Sequence, residues 1–327
     1  MLSPLHRSTS LRSYVAIVLF TAAVACTPAV IQAQDSSSAR STEPSGFFDV
    51  VRYSLAGDVY KPARWHELDL LTFFSDGWTE AWASGPNGEG GAPRQGWLNA
   101  ADGVFYRLFL FTFNWGHDGG DQYATGLTAY TPLNRRFQFR FDVPFFVSVP
   151  GGGDRETGFG DFQVTPRFLL SETVNFSQSL DLTFRTPTGD ERTGNGIGAF
   201  SPAYNFWWNA VAGLVLRGSV GGFIPFSGPD KSDAFTANFA AGYYFTPHDM
   251  IPIGDLVWYV STNLNTLTSG DLPQTQTIEN NITTVTFTPG FRTHLGADFY
   301  LLGGVEVPAT NPKPFDYQVL AALMKVW

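Results

Sequence analysis

The side chains that invite chemistry are arginines, carboxylates and amides set at alternate positions of apolar stretches. They are Arg140 and Asp142, then Asp161, Gln163 and Arg167, then Asp181 and Arg185, and finally Arg217, Arg292 and Glu306. A guanidinium binds a carboxylate through two parallel hydrogen bonds and stacks on rings through its flat face. Several such groups facing one enclosed space would either neutralise each other or form a basic constriction for an anionic or aromatic solute. If a turn centres near Val174, Arg167 lies opposite Asp181 and Gln163 opposite Arg185; opposite charges so placed contribute about 0.2–1 kcal/mol. The same parity turns Arg107 inward, with Phe146, Trp207, Tyr244, Tyr259 and Tyr300. Those rings either pack the interior or line a path for aromatic compounds.

Other chemistry finds little support. Beyond residue 33 the histidines are His66, His117, His248 and His294, and none has a Ser two residues away. The His-x-Ser arrangement of a barrel phospholipase is therefore missing. His117-Asp118 and His248-Asp249 fall in connections at opposite ends of the expected fold, so they cannot share a metal ion. Gly194-Asn195-Gly196-Ile197-Gly198 has neither the Lys nor the following helix of a phosphate loop. No catalytic residue, metal or cofactor is expected.

These positions need a frame that repeats every two residues. Phe137, Phe139, Phe141, Val143, Phe145, Val147 and Val149 fall on one face of a strand, with Gln138, Arg140, Asp142 and Ser148 on the other. The pattern recurs in twelve segments: 103–115, 121–131, 137–149, 159–170, 176–186, 198–208, 211–224, 234–245, 255–266, 282–292, 297–308 and 315–327. Each is long enough to cross a bilayer at a tilt, which takes about 9–11 residues. Short connections such as 132–136, 209–210 and 293–296 alternate with longer polar ones such as 187–197 and 267–281, as in barrels with short periplasmic turns and long external loops. The connection 246–254 is long for its side. The expected fold is an all-β, transmembrane, antiparallel up-and-down β-barrel of about twelve strands.

Composition agrees. Aromatics make up 16% of the chain and charged residues 15%, and there are four Lys against 16 Arg. Much of the surface is then expected to face lipid, and the mean hydropathy of -0.05 fits strands with one oily and one polar side. Residues 1–33 read as a secretory signal, with Arg7 and Arg12 before the apolar stretch Tyr14 to Ala25 and cleavage after Ala33. A competing reading makes Ala23-Val24-Ala25-Cys26 a lipoprotein site. Cys26 is the chain's single cysteine, so the mature part has no thiol chemistry. It carries 18 basic and 29 acidic residues, which argues against nucleic acid as a partner.

Residues 34–102 are expected on the periplasmic side or folded into the barrel 103–327 as a plug. Trp65, Leu68, Leu71 and Phe74 fall at helical spacing, which predicts a short amphipathic helix packed on the barrel. Trp207, Trp208, Tyr243, Tyr244, Phe245 and Trp258 are expected to form an interfacial aromatic girdle. The last strand sets Phe315, Tyr317, Val319, Ala321, Leu323 and Trp327 on one face. An amphipathic strand ending on an aromatic resembles the assembly signal of outer-membrane barrels, and Lys325 is expected to snorkel to the interface.

Three stretches carry a more specific resemblance: Gly158-Phe159-Gly160-Asp161, Arg185-Thr186-Pro187-Thr188-Gly189-Asp190 followed by Gly194-Asn195-Gly196, and Pro132-Leu133-Asn134-Arg135-Arg136. With Trp327 they resemble the outer-membrane family named for the meta pathway of phenol degradation, over about residues 103–327. The resemblance implies an outer-membrane channel or transporter for small, often hydrophobic, solutes. The expected partners are outer-membrane lipid, the barrel-assembly machinery and a small solute. A non-transporting adhesion barrel, with 267–281 as its contact surface, is the alternative reading, and a lipid-hydrolysing enzyme the third.

Overall fold

The computed structural model describes residues 46–327, apart from 61, 95, 152–153, 191, 195, 229–231, 270–281 and 312. The expected signal segment, residues 1–33, and most of loop 267–281 lie outside the described residues.

The wall is built from β1 (Leu108–His117), β2 (Asp121–Pro132), β3 (Phe137–Pro150), β5 (Gln163–Glu172), β6 (Phe176–Arg185), β7 (Gly198–Val211) and β8 (Leu214–Ser227). It continues with β9 (Asp233–Tyr244), β10 (Gly254–Ser269), β11 (Thr283–Gly296), β12 (Phe299–Pro308) and β13 (Tyr317–Val326). These twelve pair antiparallel in order round the ring, and β1 bonds to both β2 and β13, which closes it. A thirteenth strand, β4 (Arg155–Gly158), pairs antiparallel with only the last four residues of β3, beyond the stretch that β5 covers. Closure leaves no unpaired edge, the condition for a sheet to cross a bilayer.

The sides of the wall follow the two-residue rhythm. Phe109, Phe111, Phe113, Val220, Phe239, Val260 and Leu323 are exposed on the outer face. Gln138, Thr165, Arg167, Ser179, Arg217 and Thr288 are buried inside. An apolar belt of this extent is stable only against lipid, which places the barrel in the outer membrane. Trp208, Tyr243, Phe245 and Trp258 stay exposed near the end with the short turns, as a girdle should. Trp207 and Tyr244 do not belong to it; both are buried in the lumen, because alternation turns each to the opposite face from its neighbour.

Three more expectations need correction. The strand expected over 103–115 begins at Leu108, because residues 103–107 bend into the lumen, and Arg107 precedes the wall. Phe146 faces outward: a bulge between Val143 and Phe146 shifts the alternation, and Phe146 pairs with Thr125, on the same outer row as Phe113. No helix forms over 65–74. Leu68 exchanges two backbone bonds with Glu172, and the Asp69 carboxylate accepts the Leu71 N–H, which diverts the backbone from a helix. The helix lies earlier, as α1 (Phe47–Ala56). The long turn 245–253 carries exposed Met250, Ile251 and Ile253, apolar side chains suited to the membrane interface.

Candidate functional site

The site is the lumen and the N-terminal segment that threads it. Wall polar groups meet as the spacing requires: Arg167 pairs with Asp181 and Gln163 with Arg185 in register. Arg167 Nε lies 2.9 Å from Asp181, its Nη1 lies 2.6 Å from Gln138, and both arginine and amide are fully buried. Arg140 is 2.9 Å from Asp142, and Asp142 also accepts the Thr128 hydroxyl. Arg185 is bonded to Asp161. The ladder of ion pairs is therefore present, and these arginines spend their charge on wall carboxylates.

Residues 84–107 lie inside that ladder. Near the short-turn end, Glu172 accepts Trp65 Nε1 at 2.8 Å, Arg94 Nη1 at 2.7 Å and Arg135 Nη2 at 3.2 Å. Further in, the Asn99 amide bonds Glu306 at 2.7 Å and Thr288 at 3.2 Å, while Asn238 donates to the Asn99 carbonyl at 2.9 Å. The Asp102 carboxylate accepts the Tyr130 hydroxyl at 2.7 Å and Arg217 Nη1 at 3.3 Å, and its carbonyl is bonded by Arg167. Gly103 passes so close to the backbone of Phe206 and Trp207 that a β-carbon there would lie 2.4 Å from the Phe206 carbonyl carbon. Only glycine permits that approach.

The inward aromatics receive this segment. Trp97 stacks on Tyr259, with centroids 4.8 Å apart and planes 9° apart, and the Arg217 guanidinium lies 4.5 Å from its ring. Gly242 leaves the room: a β-carbon there would come within 2.7 Å of both the Trp97 ring and Tyr259. Arg292 lies against Tyr244 and Tyr300. A cavity of about 410 Å³ opens on the short-turn side, lined by Tyr60, Trp65, Asn87, His248 and Tyr300. One of about 340 Å³ lies on the other side, lined by Thr112, Asn114, Thr128, Arg140, Asp142 and Gln163.

Outside the wall, burial holds the Tyr60 phenol up at about 12, with Arg107 pulling the other way. Burial lowers the His66 imidazole, but bonds to the Glu67 carbonyl and the Glu80 carboxylate outweigh it and the net shift is upward. Among the described residues, His66, Asp76 and Glu80 bring one donor atom each within 4.8 Å of one another, on exposed or half-exposed side chains. His117 pairs with Asp121 at one end of the barrel and His248 with Asp255 at the other.

All ten sequence-predicted lumen residues thus lie within or at the ends of the channel wall. Of the expected assembly residues, Tyr317, Val319 and Leu323 lie on the outer row of β13, in register with His117, Trp115 and Phe111, and Trp327 stacks on Phe109 at 5.4 Å. Lys325 reaches the turn between β11 and β12, bonding the Ala297 carbonyl at 2.5 Å. Arg94, Trp97, Asn99, Asp102, Arg135, Glu172 and Asn238 were not anticipated. The available signal was Trp97-Leu98-Asn99-Ala100-Ala101-Asp102-Gly103, where Asn and Asp interrupt an apolar run.

Comparison with known proteins agrees with this architecture. The family model described as "Putative MetA-pathway of phenol degradation" matches residues 106–311. No curated protein matches by sequence. Among solved structures, the fold is similar to an outer membrane channel from Pseudomonas putida F1, at 12% identity and a TM-score of 0.56, covering 71% of this chain and 99% of that one. The KdgM porin (10% identity, TM-score 0.44, 67% and 99% covered) and the NanC porin (8%, 0.44, 67% and 98%) are more distant.

Proposed function

The chain belongs to the MetA-pathway phenol-degradation family, and on that premise we propose that it is an outer-membrane channel for small aromatic solutes, closed by its own residues 84–107. One observation carries the reading. The Trp97 indole lies between the Tyr259 ring and the Arg217 guanidinium, in a slot that Gly242 keeps open. The segment's own flat ring occupies a place shaped for a flat ring. Withdrawal of residues 84–107 would uncover Trp207, Tyr244, Tyr259 and Tyr300 together with Arg217 and Arg292. Rings and guanidinium faces attract an aromatic solute by stacking and cation–π contact, and an anionic or hydroxyl group on it would find a donor. The lumen offers binding and passage, and no reacting group is assigned to it.

The test is solute entry into proteoliposomes, comparing a small aromatic carboxylate with a sugar of similar size. The double variant Asn99→Ala with Asp102→Ala loosens the segment at its innermost point. It is expected to admit the aromatic solute at least about tenfold faster than the parent protein does, since removing several buried hydrogen bonds shifts the closed state by a few kcal/mol. It is expected to admit the sugar more slowly, since the sugar gains no stacking or cation–π contact. Equal entry of both solutes would remove the aromatic preference. No entry of either would remove the channel.

A further inference from the structure

Residues 69–78 carry the most exposed apolar side chains that the short-turn end presents. Leu71 is 92% and Phe74 91% accessible, and Leu70 is half exposed beside them. A floppy loop can hide such groups; this one is fixed. It leaves the two-way backbone bridge of Leu68 with Glu172. The fully buried Arg136 then staples it: Nη2 bonds the Asp69 carbonyl at 3.0 Å, Nε the Asp76 carbonyl at 2.8 Å, and Nη1 the Leu170 carbonyl of β5 at 2.8 Å. Phe73 and Trp78 turn back toward the barrel. Trp78 meets Phe168, which stands in register with Phe137 on the outer face. The tip of the loop therefore continues the lipid-facing belt past the end of β3 and β5.

We propose that residues 69–78 form a rigid finger that inserts Leu71 and Phe74 into the phospholipid leaflet at the short-turn end of the barrel. A fixed apolar tip beside the belt would otherwise be held in water, and lipid is the surface already in contact with the neighbouring wall. Interfacial insertion of this kind buries apolar groups about 5–10 Å into the headgroup and acyl boundary. The finger would also hold the outer part of the N-terminal segment at the membrane, since His66 and Glu80 flank it and Arg135 ties both through their carbonyls.

The chain's one cysteine lies at position 26, so single cysteines can be placed in the mature protein. Leu71→Cys and, separately, Phe74→Cys would carry an environment-sensitive fluorophore in phospholipid vesicles, with Val220→Cys as the belt reference and Asn87→Cys as the water reference. Heat-modifiable migration verifies folding of each. Lipids bearing a shallow nitroxide are expected to reduce the Leu71 and Phe74 signals about twofold, more than at Val220 in the middle of its strand, while aqueous iodide leaves them unchanged, as it leaves Val220. Iodide quenching like that at Asn87 would overturn the proposal. So would shielding from both quenchers, which would mean that a second copy or another protein covers the finger.

Discussion

The Arg185 guanidinium donates two hydrogen bonds, 3.0 and 2.9 Å long, to a single carboxylate oxygen of Asp161. The other oxygen accepts the Gly189 N–H, and Asp190 returns the gesture by accepting the Phe159 N–H at 2.9 Å. The stretches 158–161 and 185–190 are thus two halves of one clasp that folds loop 186–197 over the barrel end. Asp161→Ala is expected to free that loop and to cost about 2–3 kcal/mol, below the figure for a deeply buried pair because Arg185 keeps some access to water. Tryptic cleavage after Arg192 should speed up severalfold. An unchanged cleavage rate would show that the loop is held by other contacts.

Glu172, at the end of β5, ties the segment to the wall, with Arg94, Arg135 and Trp65 all bonded to its carboxylate. Glu172→Gln would leave two buried guanidinium groups facing one amide oxygen. The expected loss is about 3–5 kcal/mol, the range for a buried pair that loses one partner. The urea midpoint in vesicles should fall and residues 46–107 should become protease-sensitive before the wall does. Cooperative unfolding of segment and wall at an unchanged midpoint would contradict this.

The barrel was legible because every strand repeats one physical rule, and the cross-strand pair Arg167–Asp181 followed from its spacing about Val174 alone. Strict alternation turns Phe146 inward, and the bulge that turns it outward adds one residue without a mark in the hydrophobic pattern. The 65–74 stretch differs for another reason: its apolar spacing is helical, yet Leu68 finds a strand partner a hundred residues away and Arg136 binds the loop's carbonyls at Asp69 and Asp76. The clasp was visible only as two motifs. The segment's contacts join positions far apart in the chain, Asn99 and Glu306 by 207 residues, and no local pattern encodes them.

Gly103→Ala tests whether the segment needs its contact with β7. The added methyl would meet the Phe206 and Trp207 backbone, which belongs to a hydrogen-bonded wall strand and cannot yield. Residues 97–106 would have to shift inward, loosening Asp102 from Arg217 and Tyr130. Solute entry is expected to rise without loss of folded barrel, whereas Ser177→Ala, which removes only the hydroxyl bonded to the Gly103 carbonyl, should have a smaller effect. Equal behaviour of both variants and the parent protein would mean that this contact does not hold the closed state.

The seam between β1 and β13 closes the ring, and Trp327 sits on it. Its ring stacks on Phe109 with planes 9° apart, the Arg107 guanidinium lies 4.9 Å from its centroid, and the Tyr60 hydroxyl and Arg107 both bond its carbonyl. Trp327→Ala removes the ring contacts and keeps the carbonyl bonds. A stacked pair contributes about 0.5–1.5 kcal/mol beyond area burial, so the finished barrel should lose little stability. If Tyr317, Val319, Leu323 and Trp327 serve as an assembly signal, the variant should instead accumulate unfolded protein in the cell, with the heat-modifiable fraction rising several times more slowly than in the parent. Trp327→Phe, which keeps an aromatic on the same outer row, should restore the rate. A Trp327→Ala barrel that assembles at the parental rate but melts earlier would assign Trp327 to the seam alone.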